Sequence, residues 1–109
     1  GKLGQVFLNL ILNASHAIEE RGSITITTRH DGDNVSIIIA DTGVGIPKNI
    51  ISNIFDPFFT TKSVSEGTGL GLHIVRSVVE AHQGTISVDS QLGQGASFII
   101  LLPVAGLDP

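Results

Sequence analysis

Apolar residues recur at helical spacing over the first part of the chain, and this pattern predicts a helix from Lys2 to about Glu20. Arg21 and Gly22 follow, and glycine is common just after the last residue of a helix. The apolar face of this predicted helix consists of Leu3, Val6, Phe7, Leu10, Ala14 and Ala17.

A β-hairpin is predicted next. Ser23 to His30 alternates between two sets of side chains, with Ile24 and Ile26 in the same set, which is typical of a strand. Residues 31–34 have the composition of a turn. The following run from Val35 to Ala40 is apolar enough to predict a strand buried on both faces.

The second half of the chain repeats this order after a long irregular stretch. Helix, two strands, loop, helix and two strands predict an α+β fold, a two-layer α/β sandwich with helices on one face of a mixed, mostly antiparallel sheet. The predicted segments are a glycine-punctuated loop at Asp41–Pro47, a short helix at Pro47–Ile54, a loop at Asp56–Gly67, a helix at Gly69–His82 ended by Gly84, strands at Thr85–Ser90 and Ala96–Leu102, and a tail at Pro103–Pro109.

Composition narrows the class of protein. A length of 109 residues with 41% hydrophobic and 15% charged residues predicts one globular domain. A net charge of −4 argues against nucleic-acid binding as the main function, and no apolar run reaches membrane-spanning length. There is no cysteine, and the four histidines lack ligand-like spacing, so no structural metal site is expected.

Polar side chains form a narrow stripe on the first predicted helix, beside its apolar face. Asn9, Asn13, His16 and Glu20 share this stripe. For an arbitrary helix, a solvated edge is the ordinary explanation. However, asparagine lowers helix propensity, and its carbonyl oxygen suits Mg²⁺, which takes few protein ligands and completes its shell with phosphates and water.

Two glycine-rich loops are candidates for ligand contacts. Asp41 ends an apolar strand, where an unpaired carboxylate would be costly, so a hydrogen-bond donor such as the exocyclic amine of a base is expected beside it. Gly43 and Gly45 would let the backbone approach a flat ligand. The second loop, residues 67–71, opens a helix as phosphate-binding loops do, although a tight turn explains either loop taken alone.

Taken together, four segments resemble a known set. In chain order they are NLILNASHA, DTGVGIP, FDPFFTTK and GTGLGL. They closely resemble the N box, first glycine box, F box and second glycine box of the histidine-kinase catalytic domain, from the superfamily shared with gyrase-type topoisomerases, heat-shock chaperones and mismatch-repair ATPases. The resemblance extends from Lys2 to about Pro103.

The resemblance implies a role for individual residues in binding Mg-ATP. Asn13 would coordinate magnesium, Asp41 would accept a hydrogen bond from the adenine amino group, and Lys62 would approach the terminal phosphate from a mobile ATP lid. Asn9, His16 and Lys62 would be the residues nearest the transferred phosphate. The implied nucleotide contacts are Asn9, Asn13, His16, Asp41, Gly43, Gly45, Ile46, Phe55, Thr61, Lys62, Gly67, Thr68, Gly69, Leu70, Gly71, Leu72 and Ser97, with Phe58 and Phe59 packing the lid.

The implied function is transfer of the γ-phosphate to a histidine in two-component signal transduction. The implied partners are a histidine-bearing dimerisation domain and, indirectly, a response regulator, without nucleic acid or direct membrane contact. A cytoplasmic location is expected, whether or not the parent protein is anchored in a membrane. The four histidines of this chain do not match the phosphoacceptor motif, so the acceptor is expected elsewhere.

The chain departs from the family pattern in two further respects. It begins at the helix, so the N-terminal strands of the usual domain are expected to be missing from residues 1–109, and residues 104–109 are expected to form a tail. Ala17 stands where many relatives have an aromatic residue against the base. Three alternatives remain: an ATP-hydrolysing clamp, a serine kinase of the anti-sigma type, and a nucleotide-binding module without transfer activity. The clamp is disfavoured because Asn9 stands where clamp ATPases place a glutamate base.

Overall fold

The computed structural model describes residues 1–56 and 71–104. Within these ranges, helices and strands follow each other in the order predicted. They are α1 (Lys2–Ala17), β1 (Ile24–Asp31), β2 (Asn34–Asp41), α2 (Lys48–Ile51), α3 (Leu72–Ala81), β3 (Thr85–Gln91) and β4 (Gly95–Pro103). The predicted ATP lid falls mainly on residues 57–70, which lie outside the described part of the chain.

The four strands form one sheet in the order β1-β2-β4-β3, and each neighbouring pair is antiparallel. Helix α1 packs mainly against β2 and α3, while α3 also packs against β3. The predicted two-layer α+β fold is therefore confirmed, and the described strands pair in antiparallel fashion throughout.

The hydrophobic core lies between the helices and one face of the sheet. Alternate residues of β2 and β4 point into it, because side chains of a strand alternate between the two faces. Helix residues spaced by three or four meet them from the other side. The main core residues are Val6, Leu10, Ile37, Ile39, Ile54, Val75, Val79, Ala96, Phe98, Ile100 and Leu102.

Strand β2 is less buried than its composition predicts. Ile37 and Ile39 are buried, whereas Ile38 between them is half-buried. The prediction of burial on both faces is wrong because the helices pack on a single face, and an antiparallel sheet can leave its other face to solvent. Edge strand β1 is still more open, and Ile26 is 52% exposed.

The helices are shorter than predicted. Helix α1 ends at Ala17 because Ile18 is extended and the Val44 amide donates a hydrogen bond of 3.0 Å to the Ala17 carbonyl. Helix α2 ends at Ile51, with Pro47 as its extended N-cap residue. Helix α3 begins at Leu72, with Gly71 as its N-cap. Residues that were predicted to belong to the ends of these helices thus act as caps or lie outside the helices.

Candidate functional site

The candidate site lies at the end of the sheet where β2 finishes and β4 begins. Asp41, the last residue of β2, is 8% exposed. Gly95, the first residue of β4, packs so closely on the Asp41 carbonyl that a side chain at this position would clash. The start of β4 therefore holds the backbone at Asp41 in place.

The C-terminal end of α1 reaches the same place. The Ala17 carbonyl accepts the Val44 amide, and Gly43 packs on Ala17 with no space for a side chain between them. Asn13 lies one helical turn before Ala17, and Asn9 lies one turn further back, on the same stripe. The structure thus brings the asparagine stripe of α1 toward the loop that follows Asp41.

The N-terminal end of α3 points to this end of the sheet as well. After α3, Gly84 packs against Leu102 near the far end of β4. Midway along α3, Arg76 lies 6.0 Å from the centre of the Phe55 ring, and this ring lies 6.3 Å from that of Phe98 in the middle of β4. The helix therefore runs back along β4, and its first turn lies toward the end of the sheet where β4 begins.

Asp41 has a hydrogen-bond donor in its own chain. Its Oδ1 accepts the Gly43 amide at 2.8 Å, which closes a local turn of the kind that aspartate often forms two residues ahead. The prediction that the buried carboxylate has a hydrogen-bond donor is therefore confirmed by a donor within the chain, whereas a bond to a base stays a prediction. A carboxylate has further acceptor capacity, so a ligand donor can still be accommodated.

Gly43 and Gly45 are required for packing inside the chain. Gly45 has φ +78°, which favours glycine, and a side chain there would clash with the Gln91 carbonyl. Gly43 is buried against Ala17. In this structure the glycines let two backbone segments approach each other, in agreement with the tight-turn explanation, while their contact with a flat ligand stays a prediction.

The other described site residues differ in burial. Asn9 is fully buried, Asn13 is half-buried and His16 is exposed, so the stripe runs from the core to solvent. The stripe was predicted to lie beside the apolar face, and Asn9 is part of the buried face of α1 itself. Half-buried side chains elsewhere pack against the core: Ile46, Phe55 and Leu72.

Ser97 is not placed beside Asp41. It pairs with Ala40 on β2 and with Asp89 on β3, and residues directly opposite in a ladder share a face of the sheet. This is the face that the helices leave open, whereas Asp41 has the same parity as the buried Ile39. The expected contact of Ser97 with adenine therefore conflicts with strand alternation.

Several predicted contacts lie outside the described residues and stay predictions. They are Phe58, Phe59, Thr61, Lys62, Gly67, Thr68, Gly69 and Leu70. Gly71, the last residue of the second glycine loop, is described, and its carbonyl accepts the amides of Ile74 and Val75 at 3.0 and 3.2 Å.

A comparison with protein families decides the class of the chain. The family described as histidine kinase-, DNA gyrase B- and HSP90-like ATPase matches residues 1–106. The chain belongs to this family. The resemblance predicted from the four sequence motifs is thereby confirmed, and the family's description makes ATP the expected ligand.

Relatives of this ATPase domain are kinases. The chain is 50% identical over 103 residues to sensor histidine kinase ZraS of Escherichia coli K12, covering 94% of this chain and 22% of that protein. It is 41% identical over 102 residues to sporulation kinase A of Bacillus subtilis, covering 94% of this chain and 16% of that protein. The chain thus spans about a fifth of the length of these curated relatives.

Solved structures agree with the fold of this ATPase domain. The nucleotide-free catalytic domain of histidine kinase ThkA superposes with a TM-score of 0.80 at 39% identity, covering 93% of this chain and 65% of that one. Full-length ShkA in complex with AMPPNP gives 0.78 at 36% identity, covering 93% and 21%. ThkA in complex with the response regulator TrrA gives 0.77 at 33% identity, covering 98% and 30%.

Sequence reasoning missed the residues that brace the Asp41 loop of this ATPase domain. Thr42 accepts the Ser23 amide through its hydroxyl at 2.9 Å and donates its own amide to the Ser23 carbonyl at 3.2 Å. Ser90 accepts the Ile46 amide at 2.8 Å. A signal for Ser90 was present, because it continues the inward alternation of Ile86 and Val88 with a polar side chain.

None of the helices in ranges 1–56 and 71–104 is both long enough and apolar enough to cross a membrane. In the same ranges, histidine, aspartate and glutamate side chains do not gather in groups of three or more that could hold a metal ion.

Proposed function

We propose that the chain is the catalytic ATP-binding domain of a histidine kinase, which binds Mg-ATP and donates the γ-phosphate to a histidine on a separate dimerisation domain. One observation supports this most directly. In a chain of this ATPase family, a buried carboxylate, the asparagine stripe of α1 and the N-terminus of α3 lie at the same end of the sheet.

The base would be recognised through Asp41. Its carboxylate already accepts the Gly43 amide and has capacity for one further donor, such as the exocyclic amine of adenine. Because the loop is braced at Ala17, Ser23 and Ser90, it needs little ordering when the ligand binds. A preorganised site loses less conformational entropy on binding than a flexible one.

The triphosphate would lie between α1 and the start of α3. Backbone amides at a helix N-terminus and the helix dipole favour phosphate groups, and α3 is long enough for this effect. The exposed His16 would face the phosphates. Lys62, which lies outside the described residues, would face them as well. Thr61 and the second glycine loop would complete this region.

A magnesium ion fits the donor chemistry of Asn13. Its carboxamide oxygen is a hard neutral ligand on a half-buried side chain, and Mg²⁺ is commonly held by few protein ligands together with phosphate oxygens and water. The ion would neutralise charge on the phosphates. Phosphoryl transfer depends chiefly on such positioning and charge stabilisation, so little covalent chemistry is required of the protein.

Hydrolysis as the purpose of the site is disfavoured by Asn9. This residue is fully buried one turn before Asn13. A neutral amide cannot take a proton from water at neutral pH, so Asn9 cannot be a general base. The γ-phosphate of ATP would instead be transferred to a histidine on another domain.

We also propose the cellular setting that the kinase relatives suggest. The domain would work in the cytoplasm, beside a dimerisation domain of the same kinase and upstream of a response regulator. It would contact neither nucleic acid nor the membrane directly. Residues 1–109 would act as one catalytic unit of a longer signalling protein.

Two measurements test this proposal. Isothermal titration with an ATP analogue should give binding that Mg²⁺ strengthens in the wild type but not in Asn13→Ala, while the exposed control Asn49→Ala keeps the enhancement. Incubation with radiolabelled ATP and a separate histidine-bearing dimerisation domain should then give acid-labile label on the second protein. Acid-stable label would indicate a serine kinase, and binding without any transfer would indicate a nucleotide-binding module.

A further inference from the structure

Ser90 places a hydroxyl in a row of inward-facing side chains. On β3, Ile86 and Val88 point toward the core, opposite Ile100 and Phe98 of β4. Ser90 is next in this alternation and is half-buried opposite Ala96. A polar group at an inward position normally requires hydrogen-bond partners.

The Ser90 hydroxyl has a partner on each side. It accepts the Ile46 amide at 2.8 Å and donates to the Gly95 carbonyl at 2.8 Å. Ile46 and Ser90 are 44 positions apart in the sequence. The hydroxyl therefore joins the loop after β2 to the first residue of β4, which itself packs on the Asp41 carbonyl.

This link completes a brace around the Asp41 loop. On the β3–β4 turn, the Gly93 amide donates to the Val44 carbonyl at 2.7 Å. On α1, the Ala17 carbonyl accepts the Val44 amide at 3.0 Å. These two bonds hold the middle of the loop, whereas Ser90 holds its end at Ile46. Loss of the hydroxyl would free that end while leaving the middle in place.

We propose that Ser90 is a positioning residue for nucleotide binding, which holds the loop from Asp41 to Ile46 in the geometry that receives the adenine base. The inference rests on the proposed function, because the base is taken to dock on Asp41. Ser90 does not touch the nucleotide in this proposal. Its effect is transmitted through the Ile46 amide and the Gly95 carbonyl, so it should affect recognition of the base and not of the phosphates.

The test compares Ser90→Ala, Ser90→Thr and a matched control, Ser87→Ala, whose side chain is exposed on the same strand. Titration with ATP and GTP should show that Ser90→Ala weakens ATP binding by about five- to thirty-fold, because the ligand would then have to order a loop end that has lost its hydrogen bonds to Ser90. GTP binding should change little, so the preference for ATP narrows by the same factor. Ser90→Thr, which keeps a hydroxyl, should restore most of the ATP affinity, and Ser87→Ala should match the wild type.

A direct measurement of the loop accompanies the titrations. Amide hydrogen exchange at Ile46 should accelerate in Ser90→Ala and not in Ser87→Ala. Unchanged exchange and unchanged ATP affinity would overturn the role of Ser90, as would equal losses for ATP and GTP, which indicate general destabilisation. A wild-type chain that binds no adenine nucleotide would overturn the proposed function, and the binding role of Ser90 with it. If the wild type binds ATP and Ser90→Ala binds it with the same affinity, the role of Ser90 alone would be overturned.

Discussion

At the scale of single residues, Asp41 combines burial with unused hydrogen-bonding capacity. Its carboxylate is held by the Gly43 amide, and the surrounding backbone is fixed by Gly95 and by the Thr42–Ser23 bonds. A ligand donor that reaches this carboxylate would form a charge-assisted bond, and such bonds are stronger than those between neutral groups. Base recognition should therefore depend strongly on this one side chain.

Replacing Asp41 by asparagine tests this dependence. Asn retains an oxygen for the Gly43 amide, so the turn should persist, but its amide nitrogen donates where the carboxylate accepts. Binding of an ATP analogue should weaken by ~1–3 kcal/mol in isothermal titration. Asp89→Asn makes the same change of charge at an exposed position on β3 and should leave affinity unaltered. Equal affinity in Asp41→Asn and wild type would remove Asp41 from the nucleotide site.

Two glycines with positive φ differ in their surroundings, so substitutions at them distinguish the cost of backbone strain from the cost of close packing. Gly32 has φ +61° and open space around it, whereas Gly45 has φ +78° and faces the Gln91 carbonyl. Gly32→Ala should lower the free energy of unfolding by ~1 kcal/mol, the cost of a left-handed residue with a side chain. Gly45→Ala should cost at least ~2 kcal/mol, because overpacking adds to the strain. Urea unfolding measures both, and equal costs would show that the loop yields to the added methyl group.

At the scale of elements, the ends of the helices are set by different causes. Helix α1 stops where a loop from later in the chain supplies a donor for its carbonyl at Ala17. Helix α3 ends through local bonds, with the Gly84 amide donating to the Val79 carbonyl at 3.0 Å and Gln83 in the left-handed region at φ +65°. Glycine or asparagine is usual at such a position, so Gln83 carries a strain that a substitution can relieve.

Gln83→Gly should stabilise the protein for this reason. Relief of the left-handed strain is worth ~1 kcal/mol, partly offset by the greater freedom of glycine in the unfolded chain. Calorimetry should show the midpoint of thermal unfolding raised by a few degrees, since ~1 kcal/mol corresponds to about 4–8 °C in a domain of this size. The matched variant Gln83→Ala keeps a Cβ atom and should not gain stability. A gain in both variants would point to a cause other than backbone strain.

At the scale of the whole molecule, the site is assembled from elements at both ends of the sequence. Helix α1, strand β2 and helix α3 each bring one feature to the same end of the sheet. Two of the four histidines lie away from this point: His30 is on edge strand β1 next to the hairpin turn, and the His82 ring nitrogen contacts the Val78 carbonyl at 2.8 Å at the end of α3. This arrangement fits the proposal that the acceptor histidine belongs to a different domain.

The isolated chain should accordingly bind ATP without phosphorylating itself. Transfer requires an acceptor nitrogen at near-attack distance from the terminal phosphate, and His16 is expected to contact the phosphates as a fixed part of α1. Incubation with radiolabelled ATP followed by acid and alkaline washes should leave this chain unlabelled. Acid-labile label on the chain, lost on mutation of one of its histidines, would place the acceptor inside these 109 residues.

The sequence alone determined the element order, the two-layer fold and the family. Helical and strand periodicities are local properties of the chain, and the four motifs were readable because their residues are close together in sequence. The core-facing residues of α1 were predicted for the same reason, as the buried Val6 and Leu10 show. The short-range pattern also marked Asp41 as a buried carboxylate in need of a donor.

Only the tertiary structure decided which neighbours those residues meet. Helix α1 ends at Ala17 because the Val44 amide reaches it, Gly45 must be glycine because Gln91 lies against it, and Ser90 holds Ile46 from 44 positions away. Strand alternation placed Ser97 on the open face, and packing of the helices on one side left the other face of β2 half-exposed. The partners in these contacts lie far apart in the sequence, so a local pattern of side chains could mark a position but could not specify its partner.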